Sequence, residues 1–185
     1  MKSFGKFLGS TFAVSLVILV FAFFIYDIIN FQPRVLEIER LIKNAHSEDR
    51  SPPEIISQLV HISNQKEAGT SAAVARLLLF KFELTQNNGM PGGWHMRNLV
   101  WWGLVNVHYT NEEILSLYCL LIWNGENYGL NNLALREFNK PLSKLSVSEA
   151  ATLVTITRAP SRFKNNPDEL EIRKNMLLLK VENAT

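Results

Sequence analysis

The chain has 185 residues, of which 47% are hydrophobic and 19% charged, and its formal net charge at pH 7 is +2. So large an apolar fraction excludes an intrinsically disordered protein, and so small a net charge disfavours nucleic acid as a partner. The length fits one domain with a short appendage.

The N-terminal segment predicts a membrane anchor. No charged residue occurs from Phe7 to Tyr26, and an apolar run of about 20 residues spans a bilayer as a helix. Lys2 and Lys6 precede the run and Asp27 follows it, so the positive-inside rule places the N-terminus in the cytoplasm. We therefore interpret residues 1–30 as an uncleaved signal anchor of the inner membrane, with the following domain outside the cytoplasm. A cleaved signal peptide and a buried core helix are the alternatives.

Helical patterns continue after the anchor. A charged, amphipathic segment predicts a linker helix within residues 31–50, and residues 51–185 are interpreted as the main domain. Ser51 and Glu54, with prolines between them, predict a capping box at the start of the first domain helix. The polar stretch Gly69-Thr70-Ser71 predicts the cap of the next helix.

The rest of the domain is also predicted to be helical. The turn-rich segment Asn87–Gly93 predicts a loop, and the aromatic segment Trp94–Tyr109 has an ambiguous period. Thr110 and Glu113 predict a second capping box, and we expect the helix that it opens to end at Asn124-Gly125. Two further helices are predicted over residues 131–138 and 168–181. No period-two pattern predicts a strand, so the fold class is all-α, with roughly seven helices in the main domain.

A buried helix is predicted to follow a third capping box, formed by Ser146 and Glu149. We expect this helix to end near Arg158, because Pro160 disfavours the helical conformation of the residue before it. Arg158 and Arg162 then allow two interpretations. A cation in the last turn complements the helix dipole, and alternatively both arginines face an anionic ligand.

The second half of the chain contains an ordered set of motifs. They are YTNEEILSLY, IWNG, YGL, REFNKPLSKLSVSEAATL, RAPSRFKNNP and IRKNMLL. This set resembles the peptidoglycan glycosyltransferase domain, found in membrane-bound enzymes that polymerise lipid II, and the match is strongest over residues 109–178. The resemblance implies a lysozyme-like helical fold, a lipid-linked cell-wall precursor as ligand and contact with the membrane and with other proteins of cell-wall synthesis.

The resemblance does not extend to the catalytic motifs of that family. The family carries its base glutamate in E-D-x-x-F-x-x-H-x-G, a second glutamate in R-K-x-x-E and a glutamine pair in G-x-S-T-x-x-Q-Q, and none of these motifs occurs here. The first acid is expected near Ser63-Asn64 and the second near Asn98 or Trp101, but all these residues are neutral. Glu67 is the only acid close to the first position.

Three interpretations follow. In the first, the chain is a working glycosyltransferase in which Glu67 is a relocated base. Arg97, Lys140 and Arg158 are then the candidate substrate-binding cations near the pyrophosphate. In the second, the chain keeps the fold and binds precursor or partners, but has lost catalysis. In the third, it is a membrane-anchored helical interaction module. The absence of several motifs at once favours the second interpretation.

Aromatic residues near the family's second acid allow two interpretations as well. Trp94, Trp101, Trp102 and Tyr109, together with His95 and Arg97, form either an interfacial patch at the bilayer or part of the core.

The metal-ligating residue types predict no site built by the protein. The histidines show no paired ligand spacing, which leaves only a divalent cation carried by a pyrophosphate substrate. The single cysteine, Cys119, lies in an apolar run and is predicted to be a small buried hydrophobe.

Overall fold

The computed structural model describes residues 2–84 and 93–183, with side chains from Thr11 onward. The predicted loop Asn87–Gly93 lies outside the described residues except for Gly93, which is helical. The chain divides into two compact units, Met1–Arg40 and Leu41–Thr185.

The first unit is helical. Helix α1 spans Lys2–Tyr26, a π-helical turn covers Asp27–Phe31, and α2 spans Gln32–Asn44 and so continues past the unit's end. The π-helical turn lies directly before Pro33, whose ring would clash with the carbonyl four residues earlier in a regular α-helix. Among the described residues, Thr11–Asn44 is the one helical run long and apolar enough to cross a membrane. Most of its apolar side chains are exposed, as Phe12 is to 72%, although Phe31 and Ile38 are buried, and this exposure distinguishes the run from a buried core helix.

The second unit is built from helices α3 to α11 within the described residues. In chain order they span Ser47–Arg50, Glu54–Asn64, Gly69–Lys81, Gly93–His108, Asn111–Leu121, Leu130–Phe138, Val147–Ile156, Pro160–Lys164 and Pro167–Glu182. Short 3₁₀ turns cover Gln65–Glu67 and Leu142–Lys144. No strand occurs among the residues described, although Trp123 and Tyr128 form an isolated β-bridge. The all-α prediction is confirmed, and seven of these helices are nine residues or longer.

Two predicted capping boxes are present. The Thr110 hydroxyl accepts the N–H of Glu113 at 3.3 Å while the Glu113 carboxylate accepts the N–H of Thr110 at 2.8 Å, at the start of α7. Ser146 and Glu149 make the same reciprocal pair at the start of α9, at 3.3 and 2.7 Å. Each box satisfies backbone donors that the first helical turn leaves unpaired.

Two other predicted helix caps are wrong. Pro53, rather than Ser51, occupies the N-cap of α4, and no side chain caps it. A proline disfavours the helical conformation of the residue before it, and here Ser51 precedes Pro52 and Pro52 precedes Pro53. Both Ser51 and Pro52 are therefore kept out of the helix, which begins after Pro53. Helix α5 begins at Gly69 itself, directly after Ala68, which adopts a left-handed conformation with φ 63°.

The end of α7 also differs from the prediction. The helix ends at Leu121 and Ile122 is extended, so the chain leaves the helix before Asn124-Gly125. Asn124 instead holds the loop that follows, because its Nδ2 donates to the carbonyl of Gly129 at 3.2 Å and to Asn127 Oδ1 at 2.6 Å. The loop's own hydrogen bonds therefore replace a helix cap.

The core of the second unit lies between α4, α5, α7 and α9. Helix α5 packs against α6 and α7, α4 packs against α5 and α9, and α9 packs against α11. The side chains that fill this core with no exposed area include Leu59, Val74, Leu78, Leu117, Leu153 and Val154. Burying each such side chain contributes about 1.5–3 kcal/mol to folding. Cys119 is also fully buried, as predicted, and burial raises the pKa of its thiol.

A buried polar cluster joins α3 to α8. Asp49 accepts the backbone N–H of Asn131 at 2.8 Å, and the Asn131 amide lies 3.3 Å from His46 Nδ1 and accepts the N–H of Leu142 at 3.2 Å. Burial raises the pKa of Asp49 to about 6, against the opposing effects of the Asn131 N–H and the charge of His46. Gly129 has φ 103°, and a Cβ there would lie 3.2 Å from Asp49 Oδ2, which explains a glycine at this position.

Candidate functional site

The turn between α4 and α5 carries Glu67. The 3₁₀ turn Gln65–Glu67 follows α4, and the left-handed Ala68 then reverses the chain into α5. Glu67 is thereby placed beside two arginines from different elements. Its Oε2 accepts a hydrogen bond from Arg76 of α5 at 3.1 Å, and its Oε1 accepts one from Arg158. Both carboxylate oxygens of the candidate base are therefore engaged with guanidinium groups.

Arg158 lies just beyond the C-terminus of α9, where the chain turns towards Pro160. Besides Glu67, its guanidinium donates to Asn64 Oδ1 at 2.9 Å. Asn64 is fully buried, and its Nδ2 donates to the carbonyl of Val60 at 2.8 Å, so its orientation is fixed. Arg158 thus links the end of α9 to the end of α4.

The structure brings Glu67 and Arg158 together, but it places the other predicted cations elsewhere. Lys140 Nζ lies 2.7 Å from Glu149 Oε1, at the start of α9. Since Glu149 and Arg158 lie nine positions apart, the rise of a helix separates them by roughly 14 Å. Hydrogen bonding to Lys140, followed by bonds from Ser146, lowers the pKa of Glu149 to about 2. Arg97, in α6, donates to the carbonyl of Leu84.

The two positions where the family resemblance places acids hold neutral residues in different environments. Ser63 lies at the surface of a cavity beside Arg158, whereas Asn64 is part of the core. Asn98 Oδ1 is buried and has no hydrogen-bond partner among the described residues. Trp101 is fully buried and Tyr109 is nearly so, which shows that these two aromatics belong to the core and excludes them from an interfacial patch. Trp102 is half-buried, and its Nε1 donates to Ser71 Oγ at 2.9 Å.

A second acidic residue, which sequence reasoning did not single out, faces the groove between α4 and α7. Glu112, in the first turn of α7, lines a cavity of about 370 Å³ together with Ser57 and His61 of α4. Its neighbour Glu113 is committed to the capping box, whereas Glu112 has no ion-pair or hydrogen-bond partner among the described residues. The one sequence signal was the pair of glutamates after Thr110, of which a capping box uses only one.

Metal-ligating side chains do not converge in the described part of the chain. No group of three or more His, Cys, Asp or Glu residues is placed there to hold a metal ion. The chemistry available at the Glu67–Arg158 cluster is therefore that of an ion pair between an anchored carboxylate and two guanidinium groups.

Comparison with known proteins shows which family the chain resembles. Residues 82–182 match the model of the transglycosylase family. The chain is 36% identical over 78 residues to a biosynthetic peptidoglycan transglycosylase of Yersinia pestis (strain Pestoides F), a match that covers 41% of this chain and 32% of that protein. It is also 36% identical over 75 residues to penicillin-binding protein 1A/1B of Bacillus subtilis (strain 168), which covers 38% of this chain and 8% of that protein. The chain thus spans less than a third of the length of either relative.

Proposed function

Because the chain belongs to the transglycosylase family, whose domain has an all-α, lysozyme-like fold, we propose that it is a membrane-anchored, peptidoglycan glycosyltransferase-like protein that has lost catalysis. It acts in cell-wall synthesis by binding a lipid-linked precursor or a partner protein. The observation that carries the proposal is the state of Glu67, whose two oxygens accept hydrogen bonds from Arg76 and Arg158.

Polymerising a lipid-linked disaccharide requires a carboxylate that takes a proton from the attacking sugar hydroxyl. The hydroxyl of Ser63 and the amide of Asn64 are too weakly basic for this step at neutral pH. Glu67 is a carboxylate, but each of its two oxygens already accepts a hydrogen bond from an arginine, so an attacking sugar hydroxyl would have to compete with Arg76 and Arg158 for it. The absence of a general base typically costs about two to four orders of magnitude in rate.

Binding a lipid-linked precursor does not require a general base. A pyrophosphate needs charge-assisted hydrogen bonds, which arginine and lysine provide. Arg158 is the first candidate, since a phosphate and Glu67 would compete for the same guanidinium. Arg97 and Lys140 are further candidates, each at a separate place on the domain. A divalent cation, where one is needed, would arrive with the substrate.

The apolar helix supports a location in the inner membrane. We infer a single pass through α1 with Lys2 and Lys6 on the cytoplasmic side, as the positive-inside rule predicts, and the helical domain on the outer side, where cell-wall precursors are polymerised. This location fits both a catalytic and a non-catalytic role.

Two other functions remain as competitors. An active enzyme would use Glu67 as its base after release from the arginines, or Glu112, which faces the groove between α4 and α7 and has no such partners. A helical interaction module would need neither acid nor precursor. These three functions differ in what they require of the acidic residues, which defines the experiment.

The test is a polymerisation assay with the detergent-solubilised full chain, lipid II and a divalent cation. We expect no glycan polymer from the wild type, from Glu67→Gln or from Glu112→Gln. An established transglycosylase, assayed in the same detergent, shows that the substrate is competent. Glu171→Gln, at an exposed position of α11 outside the site, is the matched control for removing one acid.

Robust polymer from the wild type contradicts the loss of catalysis. If that polymer disappears in Glu67→Gln but persists in Glu171→Gln, Glu67 is the base. If it disappears only in Glu112→Gln, the base faces the α4–α7 groove. Binding of labelled lipid II without polymer separates precursor binding from a purely structural module, which would bind none.

A further inference from the structure

An acidic cavity lies between α4 and α7, beside the end of α3. It has a volume of about 400 Å³, which falls within the range of roughly 300–1,000 Å³ that small-molecule sites in proteins occupy. Its charged lining residues are Arg50, Glu54, Glu112 and Glu113. Three acids therefore face one cation, so this cavity favours a positively charged ligand.

The acids of the cavity differ in how far they are already engaged. Glu113 belongs to the capping box of α7, and Glu54 Oε1 accepts a hydrogen bond from Gln58 at 3.2 Å. Glu112 has no hydrogen-bond or ion-pair partner among the described residues. Arg50 does not neutralise these acids, since its guanidinium donates to a backbone carbonyl and forms no ion pair in the described part of the chain. Glu112 is therefore the acid most available to a ligand.

A buried hydroxyl without a partner lines the same cavity. Ser116 is only 2% exposed, and its Oγ has no hydrogen-bond partner among the residues that the structure describes. Buried polar groups in native proteins are normally hydrogen-bonded, so an exception calls for an explanation. A ligand that donates a hydrogen bond to Ser116 Oγ would supply the missing partner.

Apolar side chains form the rest of the wall. Ile42, Pro52 and Leu115 are half-buried and line the cavity. Leu115 and Ser116 follow Glu112 by three and four positions, which places all three on one face of α7. The cavity therefore combines negative charge and a hydrogen-bond acceptor with surface that binds methylene groups.

We propose that this cavity binds a primary ammonium group carried on a short aliphatic stem. An ammonium group has three N–H donors and no acceptor, which matches two carboxylates and a hydroxyl. Glu54 of α4, Glu112 of α7 and Ser116 Oγ are the acceptors, and the stem packs against Leu115. This site goes beyond the proposed function, because its ligand is a cation and its residues lie outside the surroundings of Glu67.

Such a group reaches the cavity either as a free amine or as a lysine side chain of a partner protein. The second source needs room for a peptide backbone beside the cavity. The groove of about 370 Å³ described above supplies this room, since it shares Ser57, Glu112 and Leu115 with the acidic cavity. Two probes with the same aliphatic ammonium stem separate the sources: butylammonium, and a lysine capped as Nα-acetyl-lysine-N-methylamide.

The experiment titrates the isotope-labelled, detergent-solubilised full chain with each probe and follows its backbone amide signals by NMR. We expect saturable shifts at the start of α7, with an affinity that falls as salt is raised. The double variant Glu54→Gln/Glu112→Gln should weaken binding about tenfold or more, and Ser116→Ala about threefold. Arg50→Gln should strengthen binding, since it removes the cation of the lining. Glu171→Gln removes one acid of α11 that does not line the cavity and should leave the affinity unchanged.

Butan-1-ol, the uncharged analogue of butylammonium, shows whether the charge matters. Equal affinities for these two compounds would make the site a purely apolar pocket and overturn the inference. Wild-type affinity in the double variant, or no saturable binding of either ammonium probe, would overturn it as well.

The remaining outcomes assign the source of the ligand. Tighter binding of the capped lysine than of butylammonium assigns the cavity to a segment of a partner protein, whereas equal or weaker binding assigns it to a free amine. The amide spectrum of each variant checks that a lost affinity is not lost folding. Failure of this inference leaves the proposed function intact, since that function depends on Glu67 and a lipid-linked precursor.

Discussion

The two halves of the helical domain are stabilised in different ways. In the C-terminal half, from α7 to α11, reciprocal capping boxes fix the starts of α7 and α9 from residues three positions apart. In the N-terminal half, from α4 to α6, no capping side chain fixes the start of α4 or α5. There, Arg158 makes an ion pair with Glu67 across 91 positions and a hydrogen bond to Asn64 across 94, which hold it to the end of α4 and to the turn that follows.

This difference coincides with the family match. Residues 82–182 include the whole C-terminal half but only α6 of the N-terminal half. The half that resembles the relatives is therefore the one that local sequence specifies. The half in which the family's acids are expected carries Ser63, Asn64 and a Glu67 held by arginines, so its polar groups contribute to packing between elements. We refer to the C-terminal half, from α7 to α11, as the helical frame of the domain.

The largest effect on this comparison is expected from a charge placed inside the helical frame. Ala151→Asp in α9 buries an unpaired carboxylate, because Ala151 has no exposed area. We expect the free energy of unfolding to fall by about 3–5 kcal/mol in chemical denaturation of the detergent-solubilised chain.

Ser148→Asp is the control for that substitution, since it adds the same charge to an exposed position in the first turn of the same helix, where an acid is favoured. If Ala151→Asp cannot be purified folded, Ala151→Val tests the same packing by overfilling it, with a cost of about 1–3 kcal/mol. Wild-type stability in both Ala151 variants would show that α9 is not the centre of the frame.

A smaller effect is expected at Asp49, which joins α3 to α8. Its folded-state pKa of about 6 lies above its ordinary value of 3.8, so the folded protein binds this proton more tightly than the unfolded chain does. Ionisation of Asp49 therefore costs stability at pH above 6, and this cost disappears as the pH falls towards 4. The shift corresponds to at most roughly 3 kcal/mol.

Asp49→Asn keeps an oxygen for the Asn131 N–H and removes the ionisation. We expect it to be more stable than the wild type at pH 7.5 and to lose most of this advantage at pH 4, measured by denaturation at both pH values. Asp168→Asn, at an exposed position, should keep the pH dependence of the wild type. A wild-type pH dependence retained in Asp49→Asn would assign the effect to another group of the cluster, such as His46 or Glu48.

The smallest effect is expected at Glu67. Its side chain is 39% exposed, and exposed ion pairs contribute about 0.2–1 kcal/mol. Glu67→Gln should therefore lower the free energy of unfolding by no more than about 1 kcal/mol, and high salt should reduce the difference. Arg76→Gln is the matched change on the other side of the pair. A decrease in the free energy of unfolding several times larger than this would show that Glu67 is as important to stability as the buried residues of α9. The contrast between a stable C-terminal half and weak ion pairs in the N-terminal half would then be wrong.

Sequence reasoning succeeded where a few neighbouring residues decide the structure. The all-α class, the boxes at Thr110 and Ser146 and the burial of Cys119 all follow from such local patterns. It failed at Ser51, where two successive prolines delay the helix, and at the end of α7, where the hydrogen bonds of Asn124 organise the loop. Those failures reflect competition between a cap and other local or loop contacts.

The candidate site was predictable only in part. The absence of the family's motifs is visible in the sequence and singles out Glu67. The pairing of Glu67 with Arg158 depends on how α4 packs against α9, and no pattern of local spacing encodes a contact between residues 91 positions apart. The cavity beside Arg158 has the same origin, because its arginines come separately from the turn after α9, from α10 and from α11.

The hydrogen bond from Asn131 to Asp49 has a consequence for the order of folding. It joins residues 82 positions apart, and Asn131 also accepts the N–H of Leu142. Long-range contacts of this kind slow folding, because a large loop must close before they form. During synthesis from the N-terminus, α3 has no partner for its buried acid until α8 and the turn after it have been made. The segment that contains α3 therefore completes its fold only after most of the domain has been produced.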